Sequence, residues 1–156
     1  MKIGFIGAGK VGFSLGRYFM ERNVCVSGYY SRNLDSSKEA AIFTKTKYYE
    51  KLEELIRESD TLFLTVPDGC IHEVYSKIIQ SDVEGKCIVH CSGAISSMSF
   101  SGISQKGARC CSVHPICAVS NKLTGCQELS KAYFTIEGQE TDDLVKLFQT
   151  RLRRDP

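Results

Sequence analysis

The chain has 156 residues, enough for one domain of ordinary size, and its 42% hydrophobic and 24% charged residues suit a globular core that needs no staples. A net charge of +2 with scattered basic residues gives no footprint for nucleic acid, and no apolar run approaches the roughly 20 residues a membrane helix needs. The opening residues Met1 to Gly7 are too short and glycine-broken for a signal peptide, so a cytoplasmic location is expected, with the eight cysteines reduced.

Apolar runs of strand length alternate with helical periods, the pattern of βαβ units around a mostly parallel sheet. Ile3 to Ile6 reads as a first strand, followed by a helix with Val11, Leu15, Tyr18, Phe19 and Arg22 at helical spacing. Val24 to Tyr30 is the second strand, Ser36 to Phe43 a short helix and Lys45 to Tyr48 a weak third strand. Lys51 to Glu58 reads as helix and Asp60 to Val66 as a buried strand stopped by Pro67. Ile71, Val74, Tyr75, Ile78 and Ile79 form the cleanest amphipathic pattern. Strands are expected at Cys87 to His90, Arg109 to Val113 and Tyr133 to Glu137, then a last helix from Asp142 through Leu152. Arg151, Arg153 and Arg154 at its end would complement the helix dipole.

Gly7-Ala8-Gly9-Lys10-Val11-Gly12 matches G-x-G-x-x-G between a strand and a helix, the context in which that string binds a dinucleotide. Gly7 would permit the tight turn, Gly9 the approach of a pyrophosphate, and Gly12 close packing of helix on strand, with the pyrophosphate on the free helical N–H groups. The three-glycine spacing suits a dinucleotide better than S-adenosylmethionine. The expected architecture is therefore α/β, a doubly wound, mostly parallel sheet of the Rossmann NAD(P)-binding type.

NAD-specific domains place an acid at the end of the second strand. Here that strand ends Tyr30-Ser31-Arg32-Asn33, and a hydroxyl and a guanidinium suit a 2′-phosphate, so the expected cofactor is NADP. Lys38 could add charge, whereas Asp35 lies too far past the strand to hold a ribose. The fourth strand's end, Val66-Pro67-Asp68, would border the cofactor, unless Asp68 caps the next helix.

The fifth and sixth strands end at Ser92 and His114, near where a nicotinamide would lie. Hydride transfer needs a proton donor or acceptor alongside, which makes His114 the candidate acid/base and Ser92 a hydrogen-bonding partner. The alternatives are that His114 orders the loop before Pro115 and that Ser92 bonds its own backbone. His72 reads as surface, and the direction of His90 stays open. A zinc site from His90, Cys91, His114 and Cys117 is not expected: no C-x-x-C occurs, and Cys110 and Cys111 must face opposite sides of a strand.

Taken in order, Gly-Phe-Ile-Gly-Ala-Gly-Lys-Val-Gly, Tyr-Ser-Arg, Val-Pro-Asp, His-Cys-Ser-Gly-Ala and Ser-Val-His-Pro resemble the Rossmann-like NADP oxidoreductases, relatives of pyrroline-5-carboxylate reductase, 6-phosphogluconate dehydrogenase and prephenate dehydrogenase. The resemblance implies a dinucleotide-binding domain over residues 1–152 and a small carbonyl, imine or alcohol as substrate. It also implies Ser92 and His114 facing that substrate. Members of the family continue into a C-terminal helical domain that forms a homodimer and closes the substrate pocket, and this chain ends before it. Two other readings stand beside an oxidoreductase: a non-catalytic NADP-binding module, and a thiol-rich metal or redox sensor.

Overall fold

The computed structural model describes residues 1–100 and 102–149. Seven strands form one sheet in the order β3-β2-β1-β4-β5-β6-β7. They are β1 (Lys2–Ile6), β2 (Cys25–Tyr30), β3 (Lys47–Tyr49), β4 (Thr61–Leu64), β5 (Cys87–His90), β6 (Arg109–Pro115) and β7 (Phe134–Gly138). All neighbours are parallel except β6 and β7, which run antiparallel. The sheet direction reverses in chain order between β1 and β4, the switch point at which doubly wound sheets open a crevice.

The central strands β1, β4 and β5 are buried on both sides because both faces of the sheet are covered there. On one face α1 (Lys10–Met20), α2 (Leu34–Thr44), α5 (Gly125–Lys131) and α6 (Asp142–Gln149) enclose a core of Phe5, Phe13, Phe19, Tyr29, Phe63 and Val113. On the other, α3 (Leu52–Glu58), α4 (Asp68–Ile78) and the segment before β6 cover Leu62, Leu64, Ile88, Phe100 and Cys110. Cys111 lies in the first core and Cys110 in the second, as strand alternation requires.

Several expected boundaries shift for local reasons. Asn33 caps α2 by accepting from Asp35 N at 3.0 Å and Ser36 N at 3.4 Å, so the helix starts before Ser36. Lys45 is the left-handed C-cap of that helix (φ 54°), which delays β3 to Lys47. Arg22 lies beyond α1, its guanidinium 3.6 Å from the centroid of the Tyr18 ring. β6 runs to Pro115, placing His114 inside the strand rather than after it. The helix α5 was not expected, nor were the 3₁₀ turns at Ser97–Ser99 and Ser104–Lys106. The part of the last helix expected from Thr150 to Leu152, and Arg151, Arg153 and Arg154 with it, falls outside the described residues.

Tyr29 fixes the seat of α1. Its ring is fully buried and stacked on Phe5, with centroids 5.1 Å apart, and its hydroxyl donates to Gly12 O at 3.0 Å. A β-carbon on Gly16 would lie 1.7 Å from that hydroxyl. Gly16→Ala is therefore expected to cost about 2–3 kcal/mol by overpacking, and Tyr29→Phe about 1 kcal/mol through its lost hydrogen bond. Because the second change removes the atom the first collides with, urea unfolding of the double variant should show roughly 1 kcal/mol less loss than the sum.

Candidate functional site

The glycine turn is pinned at the switch point. Gly7 N donates to Tyr30 O at 2.8 Å, and Thr65 donates through its amide to Ile6 O and through its hydroxyl to Gly7 O, both at 2.9 Å. Gly7 has φ +104°, and a side chain there would also meet the Thr65 backbone at 2.8 Å, so only glycine serves. Gly9 caps α1 with no side chain, and the space above its α-carbon is open. The first N–H groups of α1, at Lys10, Val11 and Gly12, have no intrahelical acceptor, and no acid occupies that turn. An anion is the natural partner of such an end.

Beside the turn lies a cavity of about 330 Å³. It brings together Gly7, Ala8, Gly9, Ser31, Arg32, Asn33, Val66 and Pro67. Lys10, Val11 and Gly12 form the helix start next to it. Asp68 is not among the lining residues; it occupies the first turn of α4, while Pro67 holds the cap position, so Asp68 neither lines the cavity nor caps the helix. Lys38 lies over the Tyr48 ring at 5.3 Å and does not line the cavity.

The sequence reading missed the cavity's third wall. Cys70, Glu73, Val74 and Lys77 of α4 stand at i, i+3, i+4 and i+7, one flank of the helix. That spacing was visible in the sequence, but polar residues beside an apolar stripe read as a solvated face. Lys77 Nζ donates to Glu73 Oε1 at 2.8 Å. The bond holds the Glu73 carboxyl below its ordinary range, with the Arg32 charge lowering it further, and raises the Lys77 ammonium. Arg32 and Lys77 against Glu73 leave one positive charge on this rim. Arg32 is exposed, with its Nη2 3.9 Å from Cys70 Sγ.

Ser92 lies just past the end of β5 and His114 near the end of the neighbouring β6, and neither lines the cavity. Ser92 is 4% exposed, and its hydroxyl accepts from Ala94 N at 3.1 Å, the local turn bond considered as its alternative role. Ser112 Oγ donates to Ser92 O at 3.4 Å. His114 Nδ1 lies 3.1 Å from Cys91 O. A carbonyl can only accept, so Nδ1 carries the proton and Nε2 of a neutral imidazole is left as the base. The ring packs over Gly93, where a β-carbon would sit 2.8 Å from Nε2.

His90 points into the second core and is fully buried. Its Nδ1 accepts from Ser92 N at 3.3 Å, and its ring lies 5.2 Å from Phe100, which His72 stacks on from the solvent side. Burial lowers its pKa, opposed by the charges of Glu137 and Asp68. The sign of the consequence is definite. The unfolded chain takes up a proton near pH ~6.5 that the folded chain refuses, so stability present above that value is lost on acidification. Unfolding midpoints in urea should fall between about pH 7 and pH 5 in the native chain, and fall less in His90→Asn.

The thiols of half-buried Cys91 and buried Cys87 and Cys110 are held in the protonated form. Desolvation pushes Cys91 and Cys110 up to about 12. Cys87 donates toward Cys111 at 4.0 Å, which raises the first and lowers the second, yet both are sealed in the core at 2% and 0% exposure. Among the described residues no group of three or more histidine, cysteine or acidic side chains is placed to hold a metal ion, and no helix is long and apolar enough to cross a membrane.

A glycine turn at the switch point of a doubly wound sheet, with an anion-ready helix end and a lined crevice, defines the class as a Rossmann domain. The chain belongs to the Rossmann-like domain family, whose model matches residues 1–115. No curated protein sequence matches it. Among solved structures it is similar to a Bacteroides fragilis protein assigned as an NADP oxidoreductase, at 22% identity and TM-score 0.77 over 94% of this chain and 54% of that one. It is also similar to 3-hydroxyisobutyrate dehydrogenase of Mycobacterium tuberculosis, at 13% identity and TM-score 0.75 over 94% and 51%. A third is the reductive aminase of Aspergillus terreus in complex with NADPH and ethyl-5-oxohexanoate, at 15% identity and TM-score 0.72 over 94% and 50%. These likenesses establish the fold, and the chain spans about half the length of each structure.

Proposed function

We propose that this chain is the NADP(H)-binding domain, over residues 1–152, of an oxidoreductase that moves a hydride between the nicotinamide and a small carbonyl, imine or alcohol. The observation that carries the reading is the cavity itself. It joins the glycine turn to a rim where Arg32 and Lys77 stand and no unpaired carboxylate does. The NADP and NADPH named for two of the similar structures agree with it, as does the resemblance to the reductases and dehydrogenases noted from the motifs. The pyrophosphate would rest on the N–H groups at Lys10 to Gly12, and the 2′-phosphate on Ser31 and Arg32, with Asn33, Val66, Pro67 and Asp68 nearby. His114, with Nδ1 fixed on Cys91 O, would exchange the substrate proton through Nε2, and Ser92 would stand beside it. In this reading a helical domain like that of the resembled family completes the pocket and the homodimer.

Oxidation of NADPH by a panel of small ketones, aldehydes and imines, followed by loss of reduced-nicotinamide absorbance, tests the reaction. His114→Asn should lower the rate by roughly 10²–10⁴, the usual worth of a general acid or base, with NADPH affinity unchanged. A second reading, a dinucleotide-binding module without turnover, draws on one observation: Ser92 spends its hydroxyl on its own backbone and neither it nor His114 lines the cavity. Binding of NADPH with no oxidation by any of the panel, in a chain carrying its helical domain, would favour that reading.

A further inference from the structure

The proposed reaction does not use His90, the most deeply buried of the three histidines, and yet its ring holds the turn on which both candidate catalytic groups depend. The segment Cys91 to Ala94 is tied at four points: Ser92 N to His90 Nδ1, Ser92 O to Ser112 Oγ, Ala94 N to Ser92 Oγ, and Cys91 O to His114 Nδ1. Only two of these ties involve an ionisable group, and only His90 is sealed from solvent. We infer that His90 is a positioning residue whose neutral imidazole locks the Cys91–Ala94 turn against His114, so that protonating it releases the substrate end of the site while leaving the cofactor cavity intact. The inference rests on the reading of Ser92 and His114 as the substrate-facing pair.

The tautomer follows from the hydrogen bond. An Nδ1 that accepts an amide N–H carries no proton, so in neutral His90 the proton is on Nε2. That atom is buried without a partner. Protonation would place a second N–H on Nδ1, directed at the Ser92 N–H, setting donor against donor. It would also put a positive charge beside Phe100, inside an apolar layer that includes Ile88 and Ile103. The ionisable groups acting on the ring are Glu137 from β7 and Asp68 and His72 from α4. Glu137 and Asp68 favour the proton and His72 opposes it. Glu137 is itself committed to Ser96 and Ser97, at 2.6 and 3.1 Å. Tyr75 of α4 closes the layer edge-on against Phe100, with centroids 4.7 Å apart. Released from Nδ1, the turn would shift Gly93, whose α-carbon abuts the His114 ring so closely that no β-carbon fits between them. The glycine turn and the Arg32 rim lie at other strand ends and share none of these bonds.

The test is amide hydrogen exchange at Ser92 with the histidine tautomers read by nitrogen NMR, on the full chain and two variants. His90→Asn keeps an acceptor near the Nδ1 position that cannot be protonated; His90→Phe keeps a ring and loses the acceptor. At neutral pH the native His90 is expected as the Nε2–H tautomer. The Ser92 protection factor should fall about tenfold or more in His90→Phe, as loss of one buried hydrogen bond implies, and return in His90→Asn. On acidification the native protein should lose Ser92 protection and His90→Asn should not, while NADPH affinity follows the same pH course in both, set by the 2′-phosphate rather than by His90. An Nδ1–H tautomer, or Ser92 protection that is independent of pH in the native chain, would overturn the inference even if His90→Phe failed to fold. Either result leaves the cofactor reading standing. Failure of NADPH to bind would sink that reading without touching the exchange result.

Discussion

Removing the Arg32 side chain is expected to cost NADPH at least about tenfold in affinity, some 1.4 kcal/mol, and to leave NADH unchanged. The effect is selective because the only group that differs between the two cofactors is the 2′-phosphate, and a guanidinium fork matches phosphate geometry. Glu73, the acid on the same rim, is occupied by Lys77 at 2.8 Å and so does not neutralise Arg32. Arg32 meets no carboxylate in an ion pair among the described residues, and its contact with Cys70 Sγ at 3.9 Å is weak enough to yield to a ligand. Arg32→Lys should fall between the native chain and the alanine variant, since it retains charge but not the fork. Fluorescence titration of both reduced nucleotides into the three proteins measures this directly. Equal losses for NADPH and NADH would show that Arg32 serves the fold of the rim rather than a phosphate.

Gly12→Ala should be more damaging and less selective. A β-carbon at this position would lie 2.3 Å from Thr65 Oγ1 and 2.6 Å from Gly7 O. The hydroxyl can turn away only by giving up its bond to Gly7 O, and the carbonyl cannot move without moving the turn. Both nucleotides should lose more than tenfold in affinity, with about 1–3 kcal/mol of stability lost as well. Gly9→Ala supplies the contrast. A methyl there meets nothing within 4 Å, so stability should change by less than about 0.5 kcal/mol, while the pyrophosphate loses its close approach to the backbone. Denaturant unfolding paired with nucleotide titration separates the two variants. Normal nucleotide binding by Gly9→Ala would place the pyrophosphate elsewhere.

Much of this architecture was legible because periodicity reports burial. The central strands read as nearly unbroken apolar runs since both faces of the sheet are covered there, and α4 showed its period through Ile71, Tyr75 and Ile78. What escaped had no such signal. The helix α5 is seven residues long, opens on Gly125 and buries only Gly125, Cys126 and Leu129, too little to set up a repeat. β7 was expected as a strand, but its antiparallel direction depends on how the chain returns after β6, which no local residue encodes. In the cavity, the residues at strand ends could be found by counting from the glycine motif. Glu73 and Lys77 could not, because their place follows from how α4 packs on the sheet. Ser92 and His114 were placed near strand ends by the same counting, and the sequence left open whether their hydrogen bonds go to a substrate or to the turn. His90 was the least readable, since a last strand residue faces the core or the crevice according to alternation that only the packed sheet fixes.

The claim that this cavity holds NADP(H) is tested most directly by calorimetric titration of the native chain with NADPH and, separately, NADH. NADPH is expected to bind with one-to-one stoichiometry and at least about tenfold more tightly than NADH, a margin of 1.4 kcal/mol. NADH binding as tightly as NADPH, or no heat from either nucleotide, would contradict it.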